Sequence, residues 1–277
     1  MKQIKQIYTM AAMAMLIFTV SCQTEEEVVA NTSLSDLKIL AEVEVPGTSL
    51  TVKVYQYTDD LTVGYNKLEF LVNKGGAEGA FDQATILLKP LMQMSTMSHA
   101  CPLEQPVLGL NFEESYGGAL IFVMPTGDMG FWTLGFEVHD IETGEKGTVA
   151  VPINVKLPDQ PRLKSFSLDN VSYFVSLVAP SKPMVGINTF EVAIHKKVSM
   201  MEWPAVEIAE ISIDTEMPDM GHGSPNNINP VHQANGHYSG KVNFTMDGYW
   251  KINMDLTLEG LIQKTSFDLT FEHSSTK

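Results

Sequence analysis

Polar and apolar residues alternate along most of this chain with a period of two, and almost nowhere with the period of a helix. Tyr238, Gly240, Val242, Phe244 and Met246 fall on one side of an extended segment, and Ser239, Lys241, Asn243 and Thr245 on the other. Trp250, Ile252, Met254, Leu256 and Leu258 repeat the pattern against Lys251, Asn253, Asp255 and Thr257. An earlier stretch does the same with Tyr116, Leu120, Phe122 and Met124, then with Trp132, Leu134, Phe136 and Val138. Segments of this kind are half-buried antiparallel strands, one face on a core and the other in water.

The two stretches read as copies of one unit. A single constant offset brings Gly64 onto Gly186, Asn66 onto Asn188, Glu69 onto Glu191, Lys74 onto Lys196, Tyr116 onto Tyr238 and Met124 onto Met246. Tandem duplication explains the register, and each copy has the length and the Gly, Pro, Asn and Asp punctuation of an immunoglobulin-like β-sandwich. The predicted fold is therefore all-β, with two tandem immunoglobulin-like β-sandwich domains. Leu157-Pro158-Asp159-Gln160-Pro161 interrupts the alternation and marks the boundary, giving domains over residues 37–156 and 162–277. Units of that size bury a sufficient core without disulfides.

The first residues have another character. Lys2 and Lys5 precede an apolar run from Met10 to Val20 that is too short to span a bilayer, and Ser21-Cys22 follows. This junction resembles the bacterial lipoprotein signal, although Thr19 stands where that signal usually has Leu. The resemblance implies a signal peptide over 1–21 and a lipid on Cys22. Residues 22–36 then form an acidic tether. Its Gln23-Thr24-Glu25-Glu26-Glu27 resembles the signal that sends some lipoproteins to the outer face of the outer membrane, and it also suits a plain solvated linker. The expected location is the outer membrane, anchored in lipid through Cys22, facing either the cell surface or the periplasm.

Charge narrows the partners. The net charge of −15 carries no basic stripe that would neutralise phosphates, so nucleic acid is not an expected partner. An excess of carboxylates favours solubility and attracts cations. With Cys22 lipidated, Cys101 has no intramolecular thiol to pair with, and two roles stay open for it, metal ligand or inert buried thiol.

Candidate chemistry comes from a second repeat. Met94-Ser-Thr-Met97-Ser-His99 and Met217-Pro-Asp-Met220-Gly-His222 occupy corresponding places in the two copies. Thioether sulfur is a soft neutral donor that selects Cu(I) over Mg(II) or Ca(II), and imidazole serves copper and zinc alike. Methionine also forms no disulfide, so such a site survives an oxidising compartment. In an extended segment Met220 and His222 point to one side, and a turn at Pro218-Asp219 brings Met217 back to them. Met97 and His99 follow the same rule, with Met92 and Cys101 as further soft donors. His232 and His237 lie downstream, and His237 joins the candidate ligands. Met124 and Met246 share strand faces with Phe122 and Phe244, which points to core packing, while a place near a strand end still lets them cap a site.

The second copy resembles the YtkA-like/FixH-like family from roughly Thr189 to Leu256. The carrying residues are Glu216-Met217-Pro218-Asp219-Met220-Gly221-His222, Gly236-His237-Tyr238-Ser239-Gly240-Lys241-Val242, Phe244-Thr245-Met246 and Gly248-Tyr249-Trp250. Members are small exported or membrane-anchored sandwich domains associated with copper handling and oxidase assembly. The resemblance implies Met217, Met220 and His222 as ligands, and the first copy matches it in outline only. The expected function is a lipid-anchored extracytoplasmic copper-binding protein that captures, buffers or delivers copper, with a copper donor or acceptor protein as partner. The alternative is a non-catalytic structural or adhesive module. An enzyme is not expected, because Gly-x-Ser-x-Gly, His-Glu-x-x-His and a phosphate-cradling glycine loop are all missing from the sequence.

Overall fold

Strands form where the alternation runs, and the tight turns between them fall on residues that tolerate left-handed backbone. The computed structural model describes residues 33–76 and 80–272; the export segment, Cys22 and residues 23–32 of the tether lie outside the described residues. A single 3-10 turn, Leu34–Asp36, precedes the first lobe. That lobe opens with β1 (Lys38–Glu44), β2 (Leu50–Gln56), the short β3 (Leu61–Thr62) and the long β4 (Gly64–Lys74). It continues through β5 (Ala84–Leu88), β6 (Leu91–Gln93), β7 (Ser98–His99) and β8 (Leu103–Leu108). Its last strands are β9 (Tyr116–Phe122), β10 (Phe131–Asp140), β11 (Lys146–Ile153) and β12 (Val155–Lys156). The second lobe holds β13 (Leu163–Leu168), β14 (Val171–Ala179), β15 (Gly186–Lys197), β16 (Glu210–Met217) and β17 (His222–Gly223). It ends with β18 (Ile228–His232), β19 (His237–Phe244), β20 (Gly248–Leu258) and β21 (Leu261–Phe271).

Each lobe packs two antiparallel sheets face to face. One sheet runs β1-β2-β4-β9-β8 in the first lobe and β13-β14-β15-β19-β18 in the second. The facing sheet runs β11-β10-β6-β7, with β5 also on β10, and β21-β20-β16-β17. The two-residue turns Asp169-Asn170 (φ 47° and 63°) and Glu259-Gly260 (φ 51° and 81°) close the β13–β14 and β20–β21 hairpins. Left-handed values at both central residues match the twist of the strands they join.

Along β20 the burial alternates strictly, with Trp250, Ile252, Met254, Leu256 and Leu258 inside. In the first lobe β9 departs from the half-buried expectation, because every residue of it is buried. Its second face is covered by the segment before it. Asn111 and Ser115 reach over to hydrogen-bond the Glu69 carboxylate, at 2.5 and 2.6 Å. A Cβ on Gly117 would stand 2.5 Å from Asn111 Nδ2, so the strand carries glycine where that cover approaches.

The lobes meet end against side rather than as free beads. Ala100 N–H donates to the Met200 carbonyl at 2.8 Å, and the His99 ring stands 6.3 Å from that of Trp203. The His237 imidazole of the second lobe sits between Glu104 of the first and Glu191 of its own, both at 2.5 Å. Gln160 of the boundary segment exchanges two hydrogen bonds with Thr270 of β21, so this polar interruption is strapped to the second lobe.

Candidate metal site

The turn expected at Pro218-Asp219 is present and brings Met217 back to His222, but it also takes in Met220 and Gly221, so Met220 does not share an extended segment with His222. Met217, the last residue of β16, pairs directly with His222, the first of β17. Side chains of directly opposed residues in an antiparallel pair share a face with Cβ atoms about 5 Å apart. Met217 and His222 are therefore the pair that the fold brings together. The turn spans Pro218 to Gly221, fixed by hydrogen bonds from Met220 N–H and Gly221 N–H to the Met217 carbonyl at 3.0 and 2.9 Å, and Gly221 takes φ 66°. Met220 thus sits in the turn, 61 % exposed, instead of lying beside His222 along a strand.

Trp250 forms the floor. Its ring is fully buried and meets the His222 ring edge-on, with centroids 6.0 Å apart. His222 Nδ1 lies 3.1 Å from the Gly223 carbonyl oxygen. A carbonyl only accepts, so the ring proton of the neutral imidazole sits on Nδ1 and the Nε2 lone pair is left for a ligand. Met217 is largely buried and packs in the second lobe's core, while His222 is half-buried across the hairpin from it.

In the first lobe the turn again has four residues, but its members shift. His99 pairs with Met92, and Gln93 with Ser98, so Met94 to Met97 form the turn, closed by Met94 N–H to the Met97 carbonyl at 2.9 Å. Met92, fully buried, stands where Met217 stands in the second lobe. Met94 is a turn residue packed against the core, and Met97 is exposed. The matched spacing of the two runs in sequence thus conceals a different pairing in space.

Three candidates are placed unlike their expected roles. His99 is buried between Trp132, edge-on at 5.4 Å, and Trp203 of the other lobe, so the first run is closed by the lobe joint. Cys101 is a core residue, 2 % exposed, and burial pushes its thiol far above the usual range. A thiol held neutral in that way is a poor metal ligand, since the thiolate is the binding form. His237 begins β19, whereas the Met217–His222 hairpin lies beyond the other end of that strand, about 25 Å away at the usual rise per residue. Both its ring nitrogens are taken by carboxylates. Among the described residues no cluster of three or more His, Cys, Asp or Glu is arranged to hold a metal ion, so any site here draws on thioethers.

Met124 is the partner that strand pattern assigned to packing. His99 Nε2 lies 3.3 Å from Met124 Sδ, and Trp132 Nε1 donates to the Met124 carbonyl at 2.9 Å. The repeat of Met124 and Trp132 as Met246 and Trp250 was the available signal in the sequence.

Residues 170–255 match the model of the YtkA-like family, within the second lobe. No curated protein matches the chain. Among solved structures, domains 5–6 of the S-layer protein SbsC align over 85 % of this chain and 100 % of that one, at 9 % identity and a TM-score of 0.28. The C-terminal 282-residue fragment of intimin, solved in complex with the intimin-binding domain of its translocated receptor, aligns over 84 % of this chain and 64 % of its own, at 9 % identity and 0.22. Parabacteroides merdae β-glucuronidase aligns over 80 % of this chain and 25 % of its own, at 10 % identity and 0.24. Superpositions this loose add nothing to the sandwich topology seen directly.

Proposed function

We propose that this chain, whose second lobe carries a YtkA-like domain, is a lipid-anchored copper-binding protein that captures, buffers or delivers Cu(I) outside the cytoplasm. One observation carries the reading: Met217 and His222 are opposed across a surface hairpin of the second sandwich, with the imidazole Nδ1 turned to the Gly223 carbonyl. Soft neutral donors of this kind favour a d¹⁰ monovalent ion over hard dications. Met220, exposed on the turn, is suited to meet the ion first and to hand it on. A site on a surface hairpin over a rigid floor serves exchange better than permanent storage.

On this reading the first lobe is a spacer. Its imidazole is buried beside Trp203 at the joint, which also supports the second reading, a purely structural tandem module in which neither run binds metal. Cys22 would hold the assembly to the outer membrane, and a copper donor or acceptor protein would meet the hairpin. The role is binding and not catalysis.

Titration of the full chain with Cu(I) against a chromogenic chelator separates the two readings. The copper reading expects one tightly held equivalent, weakened at least about a hundredfold by Met217→Leu with His222→Ala, the loss of two ligands at once. No uptake by the unaltered chain, or equal uptake by the double variant, leaves the structural module.

A further inference from the structure

We infer that Met246 is a ligand of the second lobe's soft-cation site, completing a set of two thioethers and one imidazole with Met217 and His222; the inference rests on the copper reading above. The first lobe displays the geometry directly. His99 Nδ1 lies 2.7 Å from the Ala100 carbonyl oxygen, which can only accept, so Nδ1 is the donor there and Nε2 faces Met124 Sδ at 3.3 Å. With Nε2 unprotonated, an imidazole nitrogen and a thioether sulfur side by side at that distance are two donors that one soft cation can share.

The frame that holds this pair is repeated in the second lobe. Trp250 Nε1 donates to the Met246 carbonyl at 2.9 Å, as Trp132 Nε1 does to Met124. His222 stands edge-on to Trp250, as His99 does to Trp132, with Nδ1 on the carbonyl of the following residue in both. The indole thus fixes the methionine main chain on one side and the imidazole on the other. Met246 is thus the counterpart of Met124 on this frame, held to the same indole that His222 meets.

Met217 closes the third side. Its Cε lies 2.7 Å from where a Cβ on Gly248 would be, so this thioether reaches the turn that carries Met246. Gly248, at φ 118°, leaves room for the contact where another side chain would block it. Access separates the lobes. Met124 is packed on the first core beside the joint, whereas Met246 is 38 % exposed. The donor set is uncharged, and a low-coordinate monovalent ion such as Cu(I) or Ag(I) matches it.

The test uses the full chain. Chelator competition compares Cu(I) affinity in the unaltered protein, in Met246→Leu and in Met201→Leu, an exposed methionine at the other end of the lobe. Leucine keeps the apolar volume, so the turn keeps its packing. The expected result is at least about a tenfold loss for Met246→Leu, as for removal of one ligand, with Met201→Leu unchanged. If the unaltered chain takes up no Cu(I), the copper reading falls and this inference with it. If it binds and His222→Ala abolishes binding while Met246→Leu does not weaken it, the copper reading stands and Met246 is not a ligand. Methyl-labelled methionine resonances in the unaltered chain guard against a folding defect in the variant. One equivalent of Ag(I) should shift the methyls of Met217 and Met246, and an unmoved Met246 methyl overturns the assignment.

Discussion

Asn66 and Asn188 perform one task in the two lobes. Each accepts from a main-chain N–H four residues earlier, at 2.9 Å, and donates to that residue's carbonyl and to a glycine carbonyl at 2.7 to 2.9 Å. The glycines, Gly64 and Gly186, take φ 114° and 107°, so the asparagine satisfies a bend that no regular ladder covers. Tyr116 and Tyr238 likewise place their hydroxyls between an N–H and a carbonyl of the preceding segment. Cys101 has no such counterpart. Its burial predicts that an alkylating reagent at neutral pH leaves a folded Cys22→Ala chain unlabelled and modifies it once denaturant is added. Thiol counting before and after unfolding measures this, and rapid labelling of the folded chain would restore Cys101 as an accessible ligand or nucleophile.

Strands with one wet face and one dry face were legible, and β20 shows the pattern from Trp250 to Leu258 without exception. The positions shared by the two copies announced the duplicated sheets for a physical reason, since Asn188 and Tyr238 do work that only the right neighbours can accept. Hairpin register was not legible. Met94 and Met217 have the same spacing to histidine and both turns have four residues, yet in the first lobe the turn starts at Met94 itself, so that His99 lies one pair further from it and faces Met92. Where a turn starts is decided by backbone hydrogen bonds, which spacing between side chains does not encode. The both-faces burial of β9 was hidden for a related reason, because its cover comes from Asn111 and Ser115, polar residues that read as loop. Met124 and Met246 lie on the face predicted for them, but just past the strand end, where Met124 still packs on the core and Met246 is 38 % exposed.

The joint between the lobes was invisible in the sequence because it joins residues far apart, such as Glu104 and His237. Burial alone would lower the His237 pKa, but its hydrogen bonds to Glu104 and Glu191 prevail and raise it from 6.5 to about 9. Tyr65 donates to Glu104 at 2.9 Å, and His195, pushed down to about 4 by burial, stays neutral nearby. A base with a raised folded pKa stabilises fully below about 6.5, and that contribution fades as the pH rises through about 9. For Glu104, burial opposes ionisation while the bond from His237 favours it and lowers the pKa, so its contribution fades as the pH falls through that lowered value. Thermal unfolding of the full chain should accordingly show a loss of stability between pH 7 and 10 that His237→Gln lacks; equal profiles would mean that the imidazolium does not hold the joint. The joint also leaves a single Met/His hairpin open, at the end of the second lobe. X-ray absorption of the full chain loaded with one equivalent of Cu(I) probes that hairpin most directly. The account predicts thioether sulfur together with one imidazole nitrogen in the coordination shell, the nitrogen lost in His222→Ala; a shell of oxygen or nitrogen alone, or one indifferent to His222→Ala, would contradict it.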